Sequence, residues 1–226
     1  MESCFVCQNK SKCFKQLDNR ELETSNKHKV QVVFKKGETI VKQGSFANHI
    51  FFVKKGLVKL FIEIPSSTQN LVINILPQGN IIALPSIYDS SVYTYTATAI
   101  ENSTICMIEN SIIREMIEKN GKFAAELIKT INHCTKSTFN RFISLTQKQL
   151  RSRVADTLIY LAEDIYKSNS FRLTLSYNDL AELTGMSKAS VVKIIKEFKD
   201  SKLLINKNGH YELLNPNELK QIIKFV

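Results

Sequence analysis

The 226-residue sequence predicts an α+β fold in three successive parts: a domain of many short strands, a long amphipathic helix, and a helical C-terminal domain closed by a hairpin. Three observations carry this prediction. Between Val30 and Ile108, apolar residues alternate in short runs punctuated by glycine. From Ser111 to Phe142 they recur at steps of three or four, and from Thr146 onward helical spacing resumes until two alternating runs flank Asn208-Gly209. A period of two marks a strand with one buried face, and a period near 3.6 marks an amphipathic helix.

The strand-rich part begins with Val30-Gln31-Val32-Val33-Phe34, which leads into Lys35-Lys36-Gly37-Glu38. The stretch from His49 to Ile62 reads as two strands around the turn Lys54-Lys55-Gly56. The polar loop from Pro65 to Asn70 separates a further pair, and Gly79 marks another bend. So many short strands at this spacing predict a closed or double-sheet domain over 30–110, with a jelly roll as the leading arrangement. Other sandwiches and barrels share the same periodicity.

The region 111–145 carries the apolar stripe Phe123, Leu127, Ile131, Cys134, Thr138 and Phe142, and a helix of about 24 residues from Lys122 to Leu145 accommodates it. That length suits a seam between two chains, which makes these six residues the candidate dimerisation set. A helix packed on its own β domain would show the same stripe.

The C-terminal part, 146–226, opens with a helix from Leu150 to Ile165 that buries Val154, Leu158, Leu161 and Ile165. A short strand, Phe171 to Leu175, precedes Ser176-Tyr177-Asn178-Asp179, where a serine with an acid three residues on starts the next helix. The run from Leu180 to Lys196 has helix-turn-helix spacing. Ala181 is small where two helices cross, Gly185 supplies the positive φ of the turn, and Val191 is buried with Leu180, Ile194 and Phe198. Ser187 caps the second helix, leaving Lys188, Ala189, Ser190, Val192, Lys193 and Lys196 on or near its outer side. Asn208-Gly209 is the favoured pair for a type I′ turn, so the following hairpin makes this a winged helix. Its second helix is the element that enters a DNA major groove, with Ser187, Lys188, Ala189, Ser190, Lys193 and Lys196 as contact candidates. A winged helix used for protein contacts is the alternative.

Composition sets the surroundings. The net charge is +10 with a pI near 9.3, which favours polyanionic partners such as DNA. The excess is +4 from Thr146 onward and +6 before it, so charge alone does not place the DNA-binding face. No window approaches 18 uncharged apolar residues, and the N-terminus lacks a basic stretch followed by an apolar core. A cytoplasmic location is expected. An enzyme on a roll of this kind would need a clustered His and carboxylate set; His28, His49, His133 and His210 form no spaced metal motif, and no catalytic residue is assigned.

Five cysteines in a reducing compartment argue against a disulfide framework. Cys4, Cys7 and Cys13 lie within ten residues in the N-terminal arm, 1–29, while Cys106 and Cys134 stand alone. Thiols clustered near a terminus point to metal or redox chemistry. Cys134, on the apolar stripe, reads as a small buried hydrophobe.

The order of β domain, long helix and winged helix resembles the CRP/FNR family of bacterial transcription regulators over nearly the whole chain. The likeness rests on Lys36-Gly37-Glu38 through Gly44, on Gly56 and Gly79, on Arg153-Val154-Ala155 with Leu158, and on Leu180 to Lys196. It implies a cyclic-nucleotide-binding-like β-roll and a homodimer joined through the long helix. It also implies RNA polymerase as a partner and an inverted-repeat operator with recognition helices about 34 Å apart. Members that bind a cyclic nucleotide carry a Gly-Glu pair after the bend and an arginine to hold the phosphate. Here Gly79 to Pro85 and Tyr93 to Thr96 contain neither, so no cyclic nucleotide is expected.

Cys4, Cys7 and Cys13, followed by Cys106 in Thr104-Ile105-Cys106-Met107-Ile108, resemble the oxygen-sensing FNR branch. Its members hold a [4Fe–4S] cluster on three N-terminal cysteines and one from the β domain. That resemblance implies a cluster that favours the dimer until oxygen removes it, and an arm that folds over the domain only once metal joins it to Cys106. A zinc site, a thiol–disulfide switch or an inert terminus would use the same cysteines. A β-roll that senses an organic ligand, haem or nitric oxide is also open. The family commonly places glutamate and arginine on the recognition helix. Ala189 and Lys193 stand there instead, which implies a related but different operator.

Overall fold

The computed structural model describes residues 3–67, 69–89 and 91–224. Met1 and Glu2 of the predicted arm, Thr68 of the predicted polar loop, Ser90, and Phe225 and Val226 at the end of the predicted winged helix lie outside the described residues. The chain forms two units, Met1–Glu63 with Asn74–Ser137, and Ile64–Ile73 with Thr138–Val226.

The arm is itself folded. A 3-10 turn at Phe14–Gln16 leads to helix α1 (Asn19–Lys27). The Asp18 carboxylate accepts from the Glu21 N–H at 2.8 Å while the Glu21 carboxylate accepts from the Asp18 N–H at 2.8 Å, the reciprocal cap that starts the helix. The strands are β1 (Val30–Phe34), β2 (Thr39–Val41), β3 (His49–Lys55), β4 (Leu57–Ile62), β5 (Leu71–Pro77), β6 (Ile81–Ile82), β7 (Thr96–Ala99) and β8 (Ser103–Glu109). They make two four-stranded sheets, ordered β1-β8-β3-β6 and β2-β7-β4-β5, and every pair with a described register is antiparallel. This is the double-sheet roll the periodicity predicts.

Helices α2 (Asn110–Lys119) and α3 (Gly121–Gln147) follow, and α3 runs 27 residues, a little beyond the expected limits at both ends. One apolar core gathers Cys4, Cys13, Phe14, Leu17 and Leu22 from the arm with Ile50, Ile108, Ile113, Met116, Phe123 and Leu127. Phe14 lies edge-on to Phe52 at 4.4 Å and to Phe123 at 5.7 Å. The arm's aromatic and leucine side chains are buried in the roll's core. One expectation is corrected here. Phe123 and Leu127, at 0% and 4% exposure, belong to that same core and are not available to a second chain. Asn120 fastens the junction: its Oδ1 accepts from the Lys122 and Phe123 N–H groups at 3.1 and 3.0 Å. Its Nδ2 donates to the Gln16 carbonyl at 3.1 Å and to Glu21 Oε2 at 2.8 Å.

The second unit contains α4 (Leu150–Tyr160), β9 (Ser170–Arg172), α5 (Tyr177–Thr184), α6 (Lys188–Asp200), β10 (Leu204–Lys207), β11 (His210–Leu213) and α7 (Pro216–Lys224). The expected single helix to Ile165 ends as α-helix at Tyr160 and continues as one π turn, Leu161–Ile165. The sheet order is β10-β11-β9, and Asn208 and Gly209 both take positive φ, 52° and 78°, as a type I′ turn requires. Val191, Phe198, Leu183, Leu158 and Leu161 fill the core. Helix α7 continues past the expected hairpin, with Asn215 Oδ1 accepting from the Glu218 N–H at 3.2 Å. It is held to α4 by the Ser152 hydroxyl, which donates to the Ile222 carbonyl at 2.8 Å. No helix among the described residues is long and apolar enough to cross a membrane.

Gly56 turns β3 into β4 at φ +103°, and a Cβ there would stand 2.2 Å from Ser103 Oγ and 2.7 Å from Ser103 Cα. Backbone strain and overlap act together, so Gly56→Ala should destabilise the chain by about 3 kcal/mol, read as a lower urea midpoint. An unchanged midpoint would contradict the turn described here.

Candidate thiol centre and nucleic-acid interface

Strand pairing and the folded arm bring three thiols to one place. Cys106 sits on β8 opposite Gln31 of β1 and Phe52 of β3. Beside it, a cavity of about 40 Å³ is lined by Cys4, Cys7, Cys106, Lys10, Lys29 and Lys54, among other residues. By volume that is room for about three water molecules. No carboxylate is among the described lining residues.

Lys29 is 6% exposed, and its ammonium donates to Cys4 Sγ at 3.5 Å and to Asn26 Oδ1 at 3.2 Å. The same Asn26 oxygen accepts from the Cys4 N–H at 3.0 Å, so α1 orients both partners. Lys54 donates to Gln31 Oε1 at 3.2 Å. Lys10 donates to the Phe5 carbonyl at 3.1 Å.

Cys13 is off the lining. It is buried between Phe14 and Ser11, both of which line the cavity, and its Sγ lies 3.1 Å from Ser11 Oγ. Burial pushes the Cys13 thiol above its ordinary range. Burial also raises the Cys106 thiol, against the pull of the Lys29 and Lys54 charges. Three of the four expected ligands therefore share one cavity, and the fourth adjoins it. Among the described residues, no three His, Cys, Asp or Glu side chains are drawn close enough to hold a metal ion as they stand. The donor set nevertheless fits a thiolate-ligated group in kind. Soft sulfur ligands approach from two chain segments, and three ammonium groups face the negative charge that such a group carries. Cys134 is half-buried against the core, with its thiol raised by burial.

In the region where the resemblance places a phosphate, Ala83 takes φ +70°, and its N–H donates to the Tyr95 hydroxyl at 2.7 Å. Burial pushes the Tyr95 phenol up to about 12. A neutral hydroxyl of this chain occupies that backbone donor.

The helix-turn-helix is built as its sequence directs. Ser176 Oγ accepts from the Asp179 N–H at 3.1 Å, and Gly185 ends α5 at φ +60°. Ser187 Oγ accepts from the Ser190 N–H at 3.1 Å and lies 2.9 Å from Ser190 Oγ. Helix α6 buries Val191, Ile194, Ile195 and Phe198. Ser187, Lys188, Ala189, Lys193 and Lys196 are exposed on its other face, and Ser190 is half-buried. Val192, 41% exposed, lies on the same face and joins the contact candidates.

On α3 the exposed apolar residues are Ile128, Ile131, Phe139, Phe142 and Ile143. Ile131, Thr138 and Phe142 of the expected seam are exposed, whereas Cys134 is half-buried. Ile128, Phe139 and Ile143 were missed because they sit one position aside from a strict stripe. Arg141 is half-buried, and desolvation of its guanidinium lowers it to about 10.

Comparison with known proteins agrees with this anatomy. Residues 31–120 match the cyclic nucleotide-binding domain, and residues 152–222 match the Crp-like helix-turn-helix domain. The chain is 22% identical over 189 residues to the transcriptional activator protein Anr of Pseudomonas protegens, covering 82% of this chain and 77% of that one. It is 24% identical over 171 residues to the CRP-like cAMP-activated global transcriptional regulator of Mycobacterium tuberculosis, covering 74% and 76%. The structure of FixK2 from Bradyrhizobium japonicum superposes with a TM-score of 0.78 at 15% identity, covering 86% of this chain and 96% of that one.

The burial order predicts thiol reactivity. In the metal-free protein, iodoacetamide should modify half-buried Cys7 and Cys134 before the buried thiols and Cys13 last, about tenfold or more slowly, as read by peptide mass spectrometry. Equal rates would mean that the arm does not stay folded.

Proposed function

The chain belongs to the CRP/FNR family of transcription regulators, and from that premise we propose that it is an oxygen- or redox-responsive homodimer whose signal enters at the cysteine-lined cavity. Similarity to relatives does not choose the signal, because the chain is about as close to the cAMP-activated regulator as to Anr. The cavity is the observation that supports this reading. Cys4 and Cys7 from the arm meet Cys106 from β8, with Lys10, Lys29 and Lys54 around them and no carboxylate among the described lining residues.

In this reading Cys4, Cys7, Cys13 and Cys106 would hold a [4Fe–4S] cluster, with Cys13 turning from Ser11 to complete the set. A bound cluster supplies oxygen-sensitive electron-transfer chemistry. The lysines offset the charge of the thiolates, and Phe14 and Phe52 give the cavity an apolar wall. The absence of the Gly-Glu pair and the arginine, together with Tyr95 on the Ala83 N–H, speaks for a signal other than a cyclic nucleotide. A change at the thiols reaches α3 through this chain's own contacts. Phe14 touches Phe123, and Asn120 ties the arm to the first turn of α3. Two copies joined along the exposed face of α3 would present two α6 helices to an inverted-repeat operator.

Protein purified without oxygen should be brown, contain iron and sulfide, and bleach in air. Serine in place of Cys4, Cys7, Cys13 or Cys106 should abolish the iron, and Cys134→Ser should retain it. A colourless protein holding one zinc per chain would overturn the cluster in favour of a zinc site on the same thiols.

The dimer has its own test. Phe139→Glu with Phe142→Glu, both about 65% exposed, should weaken self-association on the order of a hundredfold in sedimentation. Helix content by circular dichroism should stay unchanged, since both side chains lie outside the core. Undiminished association would place the interface elsewhere.

A further inference from the structure

The outer face of α6 has an unusual inventory for a surface that reads bases. From Ser187 to Lys196 the sequence contains no aspartate, glutamate, asparagine, glutamine or arginine. The side-chain acceptors in that stretch are the two serine hydroxyls, and both are engaged in the helix cap, with Ser187 Oγ on the Ser190 N–H and 2.9 Å from Ser190 Oγ. Lysine donates and accepts nothing. Such a face has no bidentate acceptor for adenine N6 and no carboxylate for cytosine N4. What it does offer is three ammonium donors, on Lys188, Lys193 and Lys196, and two exposed apolar groups one turn apart, Ala189 and Val192. Val192 is 41% exposed while its neighbour Val191 is fully buried, so the helix turns this isopropyl group outward.

In the major groove, the one apolar feature that distinguishes a base is the thymine C5-methyl. We propose that this helix reads its operator with donors and methyl groups alone, with Val192 and Ala189 recognising thymine methyls and the lysines recognising guanine edges and phosphates. A·T pairs in each half-site are then identified from the thymine strand. The inference rests on the reading of α6 as a DNA-recognition helix, and it concerns the chemistry of that recognition.

Uracil isolates the chemistry, because it keeps every hydrogen-bonding group of thymine and lacks only the methyl. Duplexes enriched from a random pool by the full-length protein, purified without oxygen, supply the operator. The same duplex is then made with deoxyuridine for thymidine, one position at a time, at fixed salt. Each buried methyl should contribute about fourfold in affinity, so symmetric replacement in both half-sites should weaken binding on the order of tenfold. Val192→Ser, a substitution at an exposed position, should lose discrimination at one of these positions, binding the thymidine and deoxyuridine duplexes equally there and keeping only the discrimination that Ala189 supplies. Equal binding of both duplexes by the native protein would overturn the proposal, as would full discrimination retained by Val192→Ser. A pool that yields no enriched sequence would instead defeat the reading of α6 as a base-reading helix.

Discussion

The edge-on contact of Phe14 with Phe52 and Phe123 holds this architecture together at its most consequential point. One ring from a short N-terminal segment inserts between a strand of the roll and the first turn of the long helix. Burying an aromatic side chain of this size contributes about 2–3 kcal/mol. Leu17 and Leu22 add to the same core, so a segment of fewer than thirty residues is packed through its own apolar side chains. The same packing sets Cys4 and Cys7 beside Cys106 around one cavity.

That arrangement divides the long helix into two chemical zones. Its N-terminal turns spend their apolar residues on the chain's own core, at Phe123 and Leu127. Farther along, Phe139, Phe142 and Ile143 face solvent. A heptad reading treats these as one continuous seam, because the spacing is the same in both zones. What separates them is whether a sheet happens to lie alongside, and that is a tertiary fact.

Much of the fold was legible from sequence for identifiable reasons. Period-two runs gave the strands, Asn208-Gly209 gave the hairpin turn, and Ser176, Gly185 and Ser187 gave the ends of two helices, since each of these is fixed by local chemistry. Helices α1 and α7 were passed over although their start signals were present, Asp18 with Glu21 and Asn215-Pro216 with Glu218. Both are nine residues long, too short for a hydrophobic period to assert itself. The site was half legible. Cysteine spacing and the strand of Cys106 pointed to the cavity, but the placement of Lys29 did not. A lysine is expected in water, and only the fold of α1 against β1 turns this one inward beside Cys4. Nor could spacing show that Cys13 faces Ser11 instead of its fellow thiols.

Asn120 shows how narrowly such a junction is specified. Its carbonyl oxygen serves the helix and its amide nitrogen serves the segment that leads from Cys13. Aspartate could still accept from the helix but would offer no donor and would set its charge against Glu21. Serine and threonine could cap, yet their single hydroxyl cannot span both neighbours. One carboxamide thus welds two mechanical parts, so drift at this position would loosen the hinge before it touched a single sulfur.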